Sequence, residues 1–178
     1  MGSEMCIRDR AEQTEAAQSQ TQAQQPQIQI QRIYLKDMSF ESPSSPQSFS
    51  LTGNPEIGVE LNSKGRQVAD TAYEVVLNVT VTSKFEDKVI YLAEIQQAGL
   101  FHIANVPEQA MGQVLGAFCP NILFPYAREA VDGLVSRGGF PAIMLAPVNF
   151  DALYAQNMAQ QAAAQAAENG AAEPEAKA

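Results

Sequence analysis

Between Gly116 and Glu129 the chain reads Gly-Ala-Phe-Cys-Pro-Asn-Ile-Leu-Phe-Pro-Tyr-Ala-Arg-Glu, which sets Pro120 and Pro125 inside a run of helical spacing. Met111, Leu115, Phe118 and Ile122 recur at three- and four-residue intervals, and Ala127, Val131 and Leu134 continue the pattern. A proline has no backbone N–H, and its ring crowds the carbonyl four residues back. Those carbonyls belong to Gly116 and Asn121, so the helix is expected to break or bend here. Asn121 is placed to cap a restarted helix with Pro125 in its first turn. An apolar helix bent in this way must be gripped; the rest of the chain can supply a sheet for one side, and a second copy of the same helix is one candidate for the other. Gly112 and Gly116, one turn apart, each cost about 1 kcal/mol against Ala in a helix interior. Their pairing predicts that another backbone, from the sheet or a second helix, comes close there.

Four stretches can build the sheet. Over residues 27–41, Gln27, Gln29 and Gln31 alternate with Ile28 and Ile30. The alternation falters at Arg32-Ile33-Tyr34-Leu35, which predicts a bulge or a change of covered face. Residues 56–62 carry Ile57, Val59 and Leu61 on one side. Residues 73–82 carry Tyr73, Val75, Leu77, Val79 and Val81, and residues 89–97 carry Val89, Tyr91, Ala93 and Ile95. Short turns between the later strands favour an antiparallel meander. One face is then a core. The other is polar and collects Asp37, Glu41, Glu56, Glu60, Glu74 and Glu94. A solvated face, common in antiparallel sheets, and a docking face for a basic partner both fit this pattern. The Pro/Ser loop at 42–55, with Phe40, Phe49 and Leu51 at or near its ends, has the mobile aromatic character that binding surfaces use.

The long helix opens at Asn105-Val106-Pro107-Glu108, with proline and an acid in its first turn, and stops at Arg137-Gly138-Gly139. An apolar connector bracketed by Pro141 and Pro147 leads to Asn149. That residue caps a second helix with a stripe of Phe150, Leu153, Tyr154 and Met158. Residues 1–26 are expected to be a disordered polar tail, the first ten unrelated to the rest. Residues 27–160 form one domain, and residues 161–178, rich in Ala, Gln and Glu, form a second disordered tail.

A net charge of −9 and a pI near 4.5 argue against binding nucleic acid or an anionic membrane surface, both of which need clustered cations. No apolar run has the length of a membrane span, and the N-terminus lacks the apolar stretch of a signal peptide. With only Cys6 and Cys119, no disulfide framework is expected, and a cytoplasmic location is. Catalytic chemistry finds little footing. His102 is the one histidine, no metal-ligand spacing is present, no Gly-rich loop opens a helix after a strand, and Cys119 has no neighbouring His in sequence. Arg128 and Asp132 read as a helix-surface ion pair. No catalytic residue, metal or cofactor is expected.

The segment Cys119-Pro120-Asn121-Ile122-Leu123-Phe124-Pro125-Tyr126-Ala127-Arg128-Glu129 closely resembles the signature of the SecB protein-export chaperones. So do Leu145-Ala146-Pro147-Val148-Asn149-Phe150-Asp151-Ala152-Leu153, Ile30-Gln31-Arg32-Ile33-Tyr34, Val79-Thr80-Val81-Thr82 and Glu94-Ile95-Gln96-Gln97-Ala98-Gly99. The likeness runs from about Gln27 to Met158. It implies an α+β fold, a four-stranded antiparallel sheet with two helices packed on one face, assembling as a homotetrameric dimer of dimers. It implies a holdase that works without ATP on unfolded secretory precursors and delivers them to the SecA motor, with no direct membrane insertion. The implied client groove is Phe40, Phe49, Leu51, Phe140, Met144, Leu145, Phe150, Leu153, Tyr154 and Met158. Aromatics and Met suit it because their apolar contact tolerates varied sequence. Core packing is the alternative role for each, expected for about half of them. The implied SecA-binding residues are Asp37, Glu41, Leu92 and Glu94, facing the basic, zinc-binding tail of SecA. With these positions on it, the polar face reads as a docking face. Ala93, Ile95 and Gln97 carry over as positions that affect assembly, with Ala93 where the family often has cysteine. Gly112 and Gly116 join them as candidate interface residues.

Other readings are a SecB-like chaperone serving a toxin–antitoxin partner, a small-molecule enzyme or binding protein using the connector as a pocket wall, and a structural oligomer. The lack of converging polar side chains counts against the small-molecule reading.

Overall fold

The computed structural model describes residues 25–170. Strands β1 (Gln27–Glu41), β2 (Glu56–Ala69), β3 (Ala72–Phe85) and β4 (Lys88–Ala104) form one antiparallel sheet in the order β1-β4-β3-β2. The expected meander is β2-β3-β4, and β1 joins beyond β4. The Pro/Ser loop must therefore carry the chain from one edge of the sheet to the other. Ser44 Oγ donates to the Val89 carbonyl at 2.7 Å and Ser42 Oγ to that of Ile90 at 3.1 Å, which ties the loop across the start of β4.

The register of β1 against β4 shifts between Ile30 and Arg32 and again between Leu35 and Asp37. Each shift adds a residue and reverses the alternation. Ile28 therefore faces Ile103, Ile33 faces Gly99 and Phe40 faces Ala93, all on the side the helix covers. The faltering pattern at Arg32–Leu35 has this cause. β2 runs seven residues beyond the expected end at 62. Those residues are mostly exposed, and pairing with β3, down to Ala69 opposite Ala72, sustains them without an apolar pattern.

The long helix comprises α1 (Glu108–Gln113), a π turn (Val114–Phe118) and α2 (Cys119–Arg137), with no gap between them. The expected break at the prolines does not occur. The Cys119 N–H bonds the Val114 carbonyl, five residues back, so the turn ahead of Pro120 is widened. A π turn re-routes the bonds that Pro120 would otherwise obstruct, and the proline enters the first turn of α2. Asn121 lies inside α2 and caps nothing. Cys119, Leu123, Phe124, Ala127, Val131 and Val135 of α2 are buried together with Val75, Leu77, Val79, Val81, Ala93, Ile95 and Phe101 of the sheet. Phe118, counted in the apolar stripe, is instead 48% exposed, because the π turn rotates it off the covered face.

The second helix, α3 (Phe150–Gly170), starts as expected: the Ala152 N–H donates to Asn149 Oδ1 at 3.0 Å. It leans chiefly on the π turn rather than on the sheet, so of the two helices only the long one lies flat against the strands. Its backbone stays helical ten residues past the expected boundary at 160. The expectations for residues 1–24 and 171–178 lie outside the described residues. No helix among the described residues is long and apolar enough to cross a membrane.

Candidate functional site

Three separate segments meet beside the start of β4. The crossover loop brings Phe49, the end of β1 brings Phe40, and the connector after α2 brings Phe140. Tyr91 of β4 lies among them. Ring centroids are 5.1 Å apart for Phe49–Phe140, 4.8 Å for Tyr91–Phe140 and 5.8 Å for Phe40–Tyr91, the spacing of stacked and tilted aromatic pairs. Gly138 permits this: a side chain there would run into the Phe40 ring. Next to the cluster opens a largely apolar cavity of about 570 Å³, walled by Leu51 and Pro55 of the loop, Ile57 and Phe85 of the strands, and Phe140 to Ile143 of the connector. Phe49 is 56% and Leu51 41% exposed at this opening.

Of the ten expected groove residues, Phe40, Phe49, Leu51 and Phe140 converge here. Leu145 and Phe150 are core residues, the latter edge-on to Phe124 at 5.6 Å. Leu153 and Tyr154 are half-buried between α3 and the long helix, while Met144 and Met158 project outward. Tyr91, Phe85, Ile57 and Ile143 were not anticipated. In sequence Tyr91 and Ile57 were legible only as members of an apolar strand face, and nothing local shows that this face continues past the end of the helix.

The connector is held by α2. The Met144 N–H donates to Asp132 Oδ1 at 3.0 Å, and Arg128 Nη1 donates to the Leu145 carbonyl at 3.4 Å. The expected Arg128–Asp132 ion pair is absent, because both side chains reach across to the connector instead.

On the opposite sheet face the β1–β4 register sets Glu41 across from Leu92, Ser39 across from Glu94 and Asp37 across from Gln96. Asp37, Glu41, Leu92 and Glu94 thus share one patch, with the three acids exposed and Leu92 half-buried. β3 continues the rows with Thr80 beside Glu94, and β2 adds Glu60 beyond it. Glu74 differs from these acids. It is 5% exposed, accepts a hydrogen bond from Tyr34, and pairs with Arg66 Nε at 2.6 Å and Lys36 Nζ at 3.0 Å. The Tyr34 hydroxyl and then the two cations hold its carboxyl down at about 2, against the pull of burial. It belongs to a closed network, not to the exposed acidic patch.

The residues expected to affect assembly are packed within the one chain. Ala93 and Ile95 are 0% and 1% exposed beneath α2 within the one chain, and Gln97, also buried, donates to the Tyr34 carbonyl at 2.9 Å. The close approach at Gly112 and Gly116 is made by a side chain, not a backbone. Cβ atoms there would stand 2.6 Å from the Tyr154 hydroxyl and 2.5 Å from its ring.

Among the described residues no group of three His, Cys, Asp or Glu is arranged to hold a metal. Burial pushes the Cys119 thiol up to about 12, far from a reactive thiolate.

Residues 21–161 match the family model described as preprotein translocase subunit SecB. The chain is 57% identical over 135 residues to the protein-export protein SecB of Stutzerimonas stutzeri, covering 76% of this chain and 82% of that protein. It is 54% identical over 138 residues to that of Hahella chejuensis, covering 78% and 87%. In structure it is similar to the Mycobacterium tuberculosis Rv1957 SecB-like chaperone, solved with a ChAD peptide from the Rv1956 HigA1 antitoxin. The TM-score is 0.53 at 20% identity, over 80% of this chain and 99% of that one, a likeness of fold.

Proposed function

Because this chain belongs to the SecB family, and is a protein-export chaperone rather than an enzyme, we propose that it captures unfolded precursor segments in the groove beside Phe40, Phe49, Tyr91 and Phe140. The observation that carries this is a cluster of rings drawn from three segments beside an open apolar cavity. An extended chain can lay side chains there without a fixed sequence, since aromatic faces make apolar contact that is not sequence-specific. Met144 and Met158, both exposed, extend the apolar surface with flexible thioethers. No step needs nucleotide.

The patch of Asp37, Glu41, Leu92 and Glu94 is the proposed seat of SecA, through a basic, zinc-binding tail. It lies on the sheet face away from the groove, so client and motor can be held together. The proposed assembly is a homotetrameric dimer of dimers working in the cytoplasm.

The test is to dilute a chemically unfolded secretory precursor into buffer with this protein, without nucleotide, and follow light scattering. Suppression at near-stoichiometric amounts, weakened by Phe140→Ala, is expected. A correctly assembled protein that leaves scattering unchanged would sink the holdase reading.

A further inference from the structure

Met144 combines three unusual features. It is 79% exposed, the most exposed large apolar side chain among the described residues. Its backbone sits at φ +49°, a left-handed conformation that is unfavourable for an L-residue with a side chain. It adjoins Leu145, which is only 7% exposed and anchored in the core. A free connector would relax such a bend and fold an exposed thioether back onto the apolar surface. Two side chains of α2, one turn apart, oppose this. Asp132 accepts the Met144 N–H, and Arg128 donates to the carbonyl of the next residue. Pro141, Ala142 and Ile143, just ahead of the bend, line the cavity, so the same clamp fixes the groove wall.

We infer that Asp132, supported by Arg128, is a positioning residue for client capture: it holds the connector in a left-handed bend that presents Met144 to an extended apolar segment of an unfolded chain. The inference rests on the holdase reading. Asp132 itself touches no client. It acts by lowering the ordering that capture would otherwise demand of the connector.

The experiment compares Asp132→Ala, Asp132→Asn, Met144→Ala and the Asp132→Ala/Met144→Ala pair in the full chain. The probe is a fluorescent, chemically unfolded precursor, read by binding, with amide hydrogen exchange at Met144 followed in parallel. Asp132→Ala is expected to weaken capture about fivefold, the scale of one lost ordering hydrogen bond, and to expose the Met144 amide to exchange. Asp132→Asn, which keeps an acceptor oxygen, should retain both protection and capture. Met144→Ala should weaken capture similarly, and the pair should lose no more than either alone. Wild-type capture by Asp132→Ala with its Met144 amide exchanging freely would overturn the inference, as would strictly additive losses in the pair. Wild-type protein that captures no precursor at all would overturn the holdase reading and this inference with it.

Discussion

Glu74 has a folded-state pKa near 2 because the Tyr34 hydroxyl and then Lys36 and Arg66 favour its charged form. That value lies below the ordinary 4.5, so the group stabilises the fold above about pH 4.5. Its contribution is lost as pH falls from there toward 2. Tyr34→Phe removes the first of these partners. It is expected to lower stability at pH 7 by about 1.5 kcal/mol, the cost of a hydrogen bond to a charged group, and to raise the pKa of Glu74. Urea titrations at pH 7 and pH 3 check both parts: the variant should differ from wild type more at pH 7 than at pH 3. An equal difference at both would mean the hydroxyl does not act through the carboxylate. The sequence showed Glu74 only as one acid on a polar face. That Tyr34 and Lys36 reach it from β1 and Arg66 from β2 depends on strand order, which no local pattern encodes.

Gly112 and Gly116 were legible as a close approach, yet their partner was not, because the ring that fills the space comes from Tyr154, 38 residues beyond Gly116. Gly116→Ala would gain about 1 kcal/mol of helix propensity but drive a methyl into that ring. The expected net is a loss of about 1–2 kcal/mol with α3 partly undocked. A thermal melt and exchange along α3 measure it, and Tyr154→Ala in the Gly116→Ala background should recover the propensity gain. An additive pair would show that the two residues do not meet. The prolines teach a related point. Their obstruction of an ordinary α-helix was readable, but the chain answers with a π turn at Val114–Phe118 in place of a break. The sheet and its buried apolar contacts hold the helix together through the irregularity, an outcome that local rules alone do not select.

Over the whole molecule, the proposed client groove and the proposed acidic docking patch lie on opposite faces of one sheet. Charge reversal at Asp37 with Glu94 is expected to weaken SecA binding at low salt by at least tenfold while leaving precursor capture intact, because exposed charges steer and register a partner. Unchanged affinity would remove this patch from the docking surface. Ile95→Asp is expected to unfold the chain. The site is 1% exposed beneath α2, and a carboxylate buried there without a partner costs about 4 kcal/mol or more. A folded dimer with a wild-type melting temperature would contradict that. An effect of Ala93 or Gln97 on assembly would have to run through the helix that covers them.

The sequence by itself determined the element types, the apolar faces, the Asn149 cap, the lack of catalytic chemistry and, through a long ordered likeness, the family. These follow from local periodicity, capping and residue chemistry, which each segment carries alone. Tertiary structure decided which apolar residues are buried in the core and which border an open cavity, that Glu74 is locked in a network while Asp37, Glu41 and Glu94 are exposed, and that Arg128 and Asp132 hold the connector instead of each other. Each of these depends on where a segment distant in sequence comes to rest. Burial, pairing and exposure belong to the pair of segments that meet, and neither segment's own pattern contains its partner's position.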